Sequence, residues 1–266
     1  MWRNKPVALI PLFHADDPLN SLPRWVSHYR QADAILALTE AEARIFHETF
    51  EHPNVHVIGA GVDPADILAP SISGARFRER HELGDAPIAL FLGRKEAGKK
   101  YRMAIEAVQR ARASHASAQE LRLIVIGADI DRRPLRPDEG LFLGALSRSE
   151  VLDALDACDV LINPSTSESF GLTILEAWAR RKPVIANAAC GPFRSIIQHD
   201  HNGWLEADAE GMARRIAQLL LQPALALAVG SAGHQTVLAR HLWPHVARRT
   251  LDALEGIRRA PSALAR

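Results

Sequence analysis

Cysteine is nearly absent from this chain: 266 residues hold two, Cys158 and Cys190. That excludes a disulfide framework and a four-ligand zinc site. Both lie in apolar surroundings, which predicts buried, reduced thiols and a cytoplasmic protein. An excess of one charge is missing too, since 32 Lys+Arg face 31 Asp+Glu for a net +1. There is accordingly no electrostatic footprint for nucleic acid. Long apolar runs are also lacking: Leu219–Val229 comes nearest to a membrane span and is broken by Gln222 and Pro223, far short of the roughly 18 residues needed. Membrane contact is expected to be peripheral at most, through Arg240, Arg248, Arg249, Arg258 and Arg259, whose spacing more commonly marks a solvated helix face. The start imitates a secretory leader, with Arg3 and Lys5 before Val7–Phe13. That stretch is short, contains Pro11 and runs into His14, Asp16 and Asp17 without a cleavage site, so it reads as a buried strand.

What is present is ordinary globular composition, 47% hydrophobic and 24% charged, enough for one large domain or two small lobes. Short apolar runs alternate with helical patterns. Strands are predicted at Val7–Phe13, Ala34–Leu38, Val55–Ile58, Ile88–Leu92, Leu121–Ile126, Leu141–Leu143, Val160–Ile162, Pro183–Ala186 and Trp204–Leu205, with helices over Lys100–Ser114, Arg148–Ala157 and Leu172–Arg180. Thr39 and Ser147 read as N-caps, the second with Glu150 completing a capping box. Strands apolar on both faces, alternating with helices, predict an α/β fold built on parallel sheet covered on both sides. Only helical patterns follow Trp204. One break stands out: Gly59-Ala60-Gly61 with Asp63-Pro64 follows a strand, and a loose segment runs to about Ser73. Three strands precede it, too few for a doubly wound domain, and enough follow it for a whole one. The chain therefore divides into a partial lobe over 1–60, a complete lobe over 61–242 and a C-terminal helix over 243–266.

Several motifs mislead. GRKEAGKK, Gly93 to Lys100, nearly spells a phosphate loop, but Lys100 stands where a magnesium-holding hydroxyl is needed. Asp129 and Asp131 imitate a metal-binding acid pair and read as a solvated loop. His199 to His201 precede the turn signal Asn202-Gly203 and read as an exposed turn. Gly59 and Gly61 lack the third glycine and the helix of a dinucleotide fingerprint.

The informative segment is INPSTSESFGLTILEAWARRKPVIA, Ile162–Ala186. A strand ends at Asn163-Pro164, a polar loop follows and Gly171 opens a helix. Glu168 stays on the loop while Glu176, eight positions on, lies about one turn inside the helix. Free amides at Phe170, Gly171 and Leu172 then point into the crevice at the strand ends, a setting for phosphate, and the flanking carboxylates suit sugar hydroxyls. On spacing alone, a capping Glu168 and an exposed Glu176 are the favoured account.

This segment resembles the signature of the retaining glycosyltransferases of the group 1 family, which have the GT-B architecture of two facing Rossmann-like lobes. Their Glu, seven residues, Glu signature sits in a P-S…E-x-F-G-L…E-A run, here PSTSESFGLTILEA. FLGRKEAGKKY resembles the family's G-R…K-G loop, with Lys100 in place of the usual glycine. LFLGALSRSEVLDALDACDVLINPS, ACGPFRSII, NGWL and the hinge-like VHVIGAGVDPADI follow the family in order. The resemblance implies one complete donor-binding lobe and the last part of an N-terminal lobe. It implies that Arg94 and Lys99, beside Gly93, grip the diphosphate without metal, that Glu176 holds the ribose, Glu168 the donor sugar, and backbone at Gly144, Ala145 and Leu146 the base. Phe170, Gly171 and Leu172 supply amides to sugar or phosphate, and His14 contacts the transferred sugar. A cationic pair there stabilises charge building on the departing diphosphate. The implied donor is a nucleotide-diphosphate sugar, the acceptor an unidentified hydroxyl, with no cofactor and no metal. Three strands without their usual partners leave an exposed edge, completed by a second polypeptide such as a missing lobe, by a homo-oligomer, or not at all. The alternatives are a non-catalytic nucleotide-sugar-binding subunit or inactive fragment and, at a distance, a P-loop-like hydrolase.

Overall fold

The computed structural model describes residues 5–14, 16–67, 69 and 71–259. Arg3 and residues 260–266 lie outside them, as do the side chains of Arg258 and Arg259. The N-terminal part consists of β1 (Ala8–Leu9), α1 (Pro23–Gln31), β2 (Ala34–Ala37), α2 (Glu40–Glu48) and β3 (Val55–Val57), forming a parallel sheet in the order β1-β2-β3. Next come α3 (Pro64–Ile67), α4 (Gly74–Arg80), β4 (Ile88–Leu92), α5 (Tyr101–Ser114), β5 (Arg122–Ile126), β6 (Leu141–Phe142), α6 (Arg148–Ala157), β7 (Val160–Asn163), α7 (Leu172–Ala179), β8 (Val184–Asn187), α8 (Gly191–Ile196) and β9 (Trp204–Glu206). Three helices close the chain: α9 (Ala209–Leu221), α10 (Pro223–Arg240) and α11 (Trp243–Arg259). The second sheet is parallel throughout, in the order β6-β5-β4-β7-β8-β9. That is the doubly wound 3-2-1-4-5-6 order, whose switch point lies between β4 and β7.

Side chains alternate across each strand, so one run feeds two cores. Ile88 and Leu90 of β4 join a cluster with α6 and α7, while Ala89 and Phe91 face α5 and α9 on the other side. β2 repeats the pattern: Leu36 joins the first of these clusters, and Ile35 faces an aromatic group of Phe13, Tyr29, Phe46 and Phe50. The two sheets thus share a continuous apolar core. Cys158 and Cys190 are buried and unpaired, their thiols pushed up to about 12 by desolvation. Among the described residues no single helix is long and apolar enough to cross a membrane.

Thr39 and Ser147 accept hydrogen bonds from the amides of Glu42 and Glu150, and Glu150 reaches back to the amide of Ser147 to complete the box. Ser147→Ala is expected to cost about 1 kcal/mol of stability, measurable as a lowered urea midpoint with unchanged slope.

Two expectations need correction. The first strand is two residues long instead of Val7–Phe13: Pro11 has no amide to pair and Leu12 turns left-handed at φ +48°. The supposedly loose segment after the hinge contains the helix turn α3, because Asp63 accepts from the Ala65 amide and Pro64 presets the first helical φ. The hinge itself is clasped by the C-terminus. Val62 pairs with Leu242, Arg249 donates from Nε to the Ile58 carbonyl at 2.7 Å, and the His241 ring lies 3.1 Å from the Ala60 carbonyl. α11 then packs on β2, with Ala253 joining Leu36 and Leu38.

Candidate functional site

Because every strand of the larger sheet runs the same way, the loops after β4, β5, β6, β7 and β8 all leave at one edge. The β4 and β7 loops flank the switch point, where an open parallel sheet leaves a crevice. Gly93, Arg94 and Lys99 sit on the first of these loops, Glu168, Phe170 and Gly171 on the second. They meet: Lys99 Nζ lies 2.8 Å from Glu168 Oε1, and both side chains are largely buried. Arg94 stays exposed, paired with Glu96 at 2.9 Å. Lys100 occupies the left-handed region at φ +51°, which is why glycine suits this position and lysine carries a local conformational cost.

The β7 loop is held by a polar net under it. Buried Asn163 donates to Thr173 Oγ1 and accepts from the Ser165 amide, Ser165 Oγ donates to the Ser167 carbonyl, and Asn187 at the end of β8 donates to the Pro164 carbonyl. Gly171 then caps α7 at φ +107°, where an added Cβ would lie 2.6 Å from Phe193 Cε1. Glycine alone fits, and no side chain caps the helix start, which leaves its first amides available to a ligand. Phe170 is buried with its ring 5.6 Å from that of His241, edge to face, while Leu172 is half exposed. After β6, the Gly144 carbonyl accepts from the Gly127 amide at 2.8 Å, Ala145 is exposed and Leu146 rests on the core.

Glu176 projects from α7 and is 16% exposed, against Arg148 at 2.5 Å. Burial raises the pKa of Glu176 and the Arg148 guanidinium opposes that rise. His14, on the loop after β1, brings Nδ1 to 3.5 Å from Ser167 Oγ, one residue before Glu168. The smaller sheet therefore delivers its histidine to the β7 loop. A cavity of about 280 Å³ opens alongside, between Phe13, Asp16 and Arg44 on one side and Ser167, Glu168 and Arg194 on the other. Its floor is the contact of α2 with α8, where the Ala41 amide donates to Ser195 Oγ at 3.1 Å.

Asp129 and Asp131 lie on an exposed loop, as expected, but their carboxylates are engaged. They close on Lys95, which is completely buried: Asp129 lies 2.6 Å away, Asp131 is ion-paired to it, the Arg133 carbonyl accepts from it, and Tyr101 donates its hydroxyl to Asp131. Lys95 and Tyr101 together hold the Asp131 carboxyl at about 2. Lys95 also bonds through its backbone to Ala128, Ile130 and Asp131, and Gly127 approaches so closely that a Cβ there would lie 1.9 Å from the Gly93 carbonyl. The β4 loop is in this way fastened to the β5 loop. His199 to His201 do form a turn, tied by the Asp200 amide to the Gly203 carbonyl.

Sequence reasoning missed Lys95, Arg148, Asn163 and Asn187. The two asparagines carry a signal, each ending a strand before a small or proline residue. Lys95 and Arg148 carry none, since their partners come from other loops.

The sequence profile described as "Glycosyl transferases group 1" matches residues 75–236. A D-inositol 3-phosphate glycosyltransferase of Stackebrandtia nassauensis is 32% identical over 246 residues, covering 84% of this chain and 54% of that protein. An alpha-1,3/1,6-mannosyltransferase of Homo sapiens is 27% identical, covering 80% and 56%. The chain spans about half the length of these curated relatives. Among solved structures, Anabaena HepE in complex with UDP superposes with a TM-score of 0.77 at 19% identity, over 95% of this chain and 72% of that one. WaaG, a glycosyltransferase involved in lipopolysaccharide biosynthesis, gives 0.72 at 17%, over 95% and 75%. These likenesses bear out the GT-B type of fold, and with the profile covering well over half of its length the chain belongs to the group 1 glycosyl transferases.

Proposed function

We propose that this chain binds a nucleotide-diphosphate sugar at the β4–β7 switch point and takes part in transferring its sugar to an acceptor hydroxyl, with retention of configuration and without a metal. The observation that carries this reading is the Lys99–Glu168 contact. It sets a cation suited to a diphosphate directly against a carboxylate suited to sugar hydroxyls, at the crevice where such a fold takes ligands.

Arg94 and Lys99 supply positive charge to the leaving diphosphate as the sugar–phosphate bond breaks, the part a metal would otherwise play. Glu176 takes the ribose, backbone at Gly144–Leu146 the base, and the open amides at Gly171 and Leu172 the sugar or phosphate. His14, held near Ser167, faces the transferred sugar. In a front-face reaction the C1–O bond to phosphate breaks, the bond from the acceptor oxygen to C1 forms on the same face, and the hydroxyl proton passes to the departing phosphate. No side-chain base is needed. The buried reduced thiols fit a cytoplasmic setting.

Calorimetric titration with UDP, GDP and ADP, with and without magnesium, tests the donor site. One diphosphate is expected to bind equally well in both conditions and to weaken about 10-fold or more in Arg94→Ala and Glu176→Ala. Magnesium-dependent binding, or no binding by folded protein, would overturn the reading.

A further inference from the structure

Glu176 has a partner that lies outside its own motif. Arg148 opens α6, on the loop side of β6, and its guanidinium is held between two carboxylates. Nη1 donates to Glu176 Oε1 at 2.5 Å, while Nε and Nη2 donate to Asp66 Oδ2 at 3.1 and 2.9 Å. Contacts on two edges fix the plane of the group, since a planar fork engaged on both sides has little freedom left. Asp66 belongs to α3, just past the hinge, so Arg148 is anchored independently of the helix that carries Glu176.

The two pairs differ in kind. Asp66 and Arg148 are 39% and 44% exposed, and a pair of that sort contributes little by itself. Glu176 is mostly buried, and a buried carboxylate is costly without a donor. Arg148 engages only Oε1, and among the described residues Oε2 accepts no hydrogen bond. An ionised carboxylate accepts hydrogen bonds on both oxygens, whereas a neutral one gives up part of that capacity to its own proton.

We propose that Arg148 is a positioning residue for nucleotide recognition, holding Glu176 by Oε1 so that Oε2 is presented to the ribose hydroxyls. The proposal rests on the reading of Glu176 as the ribose ligand. Arg148 touches no substrate in this role. It acts through Glu176, with Asp66 as its anchor.

The test is titration of the protein with UDP, GDP and ADP, each beside its 2′,3′-dideoxy counterpart. For the base that binds, the wild type is expected to prefer the hydroxylated form by about 10–100-fold, the range for hydrogen bonds to a charged group. In Arg148→Met the preference falls to about threefold or less while dideoxynucleotide affinity stays within about twofold of wild type, a pattern general damage to the fold does not produce. Arg148→Lys restores an intermediate preference, and Asp66→Asn, which leaves the Arg148–Glu176 contact in place, loses part of it. An Arg148→Met protein that keeps the full preference, or that loses both forms equally, overturns the proposal. A wild type that does not distinguish the two forms overturns the ribose assignment of Glu176 itself, and the role of Arg148 with it.

Discussion

Replacing Lys95 by methionine is expected to destabilise the fold by about 3 kcal/mol, the low end for breaking a buried ion pair because its acidic partners keep some contact with water. Lys95 is completely buried, and Asp129 and Asp131 are 36% and 21% exposed. Methionine fits between the rings of Tyr101 and Phe142, each centred 5.3 Å from Nζ. The cost therefore comes from Asp131, left with the Tyr101 hydroxyl, the Arg133 amide and the exposed Arg102 guanidinium at 4.0 Å. Adding Asp131→Asn should recover part of the loss, a coupling expected of groups in one network. The sign of the pH effect follows from the lowered Asp131 pKa, about 2 when folded against roughly 3.9 for an ordinary aspartate. The folded pKa is depressed, so the pair's contribution is fully present above about pH 4 and lost as pH falls through about 2. Urea unfolding of wild type and Lys95→Met should show a gap that is constant near neutrality and closes across that acid window. A gap that persists at pH 2 would assign the loss to packing instead. Because Lys95 fastens the β4 loop to the β5 loop, the variant should also bind nucleoside diphosphate less tightly.

Glu168→Gln is expected to separate sugar recognition from diphosphate recognition. Glutamine keeps the shape and one carbonyl oxygen but loses the charge that makes a carboxylate a strong acceptor for hydroxyls. A nucleotide sugar should lose about 10–100-fold in affinity, whereas the matching nucleoside diphosphate should bind at least as well, since Lys99 is released from its 2.8 Å contact with Glu168. Paired calorimetric titrations check this. Equal weakening of both ligands would mean that Glu168 supports the loop and does not meet the sugar. Release of nucleoside diphosphate from the donor, with water as acceptor, should fall at least as far as donor affinity.

Much of the larger lobe was legible because its determinants are local. The run Ile88–Leu92 alternates between two cores, Ser147 and Glu150 cap α6 from within four residues, and Gly171 starts α7 where a side chain would strike Phe193. The Glu168–Glu176 spacing places one carboxylate on a loop and the other on the next helix turn, as helical geometry requires. The first strand was less legible. Val7–Phe13 has the apolar pattern of a strand, but pairing stops at Leu9 because β1 has one neighbour and Leu12 turns away. The acid pair Asp129 and Asp131 lies on an exposed loop as its charge suggests, but its partner is illegible for a related reason: the buried lysine between the two acids comes from another loop.

The sequence by itself determined the alternation of strand and helix, the parallel sheet and the family, and it carries the carboxylates and cations proposed to meet a diphosphate sugar. Each of these follows from patterns within about thirty residues. Only the tertiary structure decided the partners. Of two adjacent basic residues, Arg94 is exposed and Lys95 is locked inside, and of two signature glutamates, Glu168 faces Lys99 while Glu176 faces Arg148. Strand order brings the β4, β5 and β7 loops to one edge, and charges far apart in sequence pair across that edge at distances no local pattern encodes.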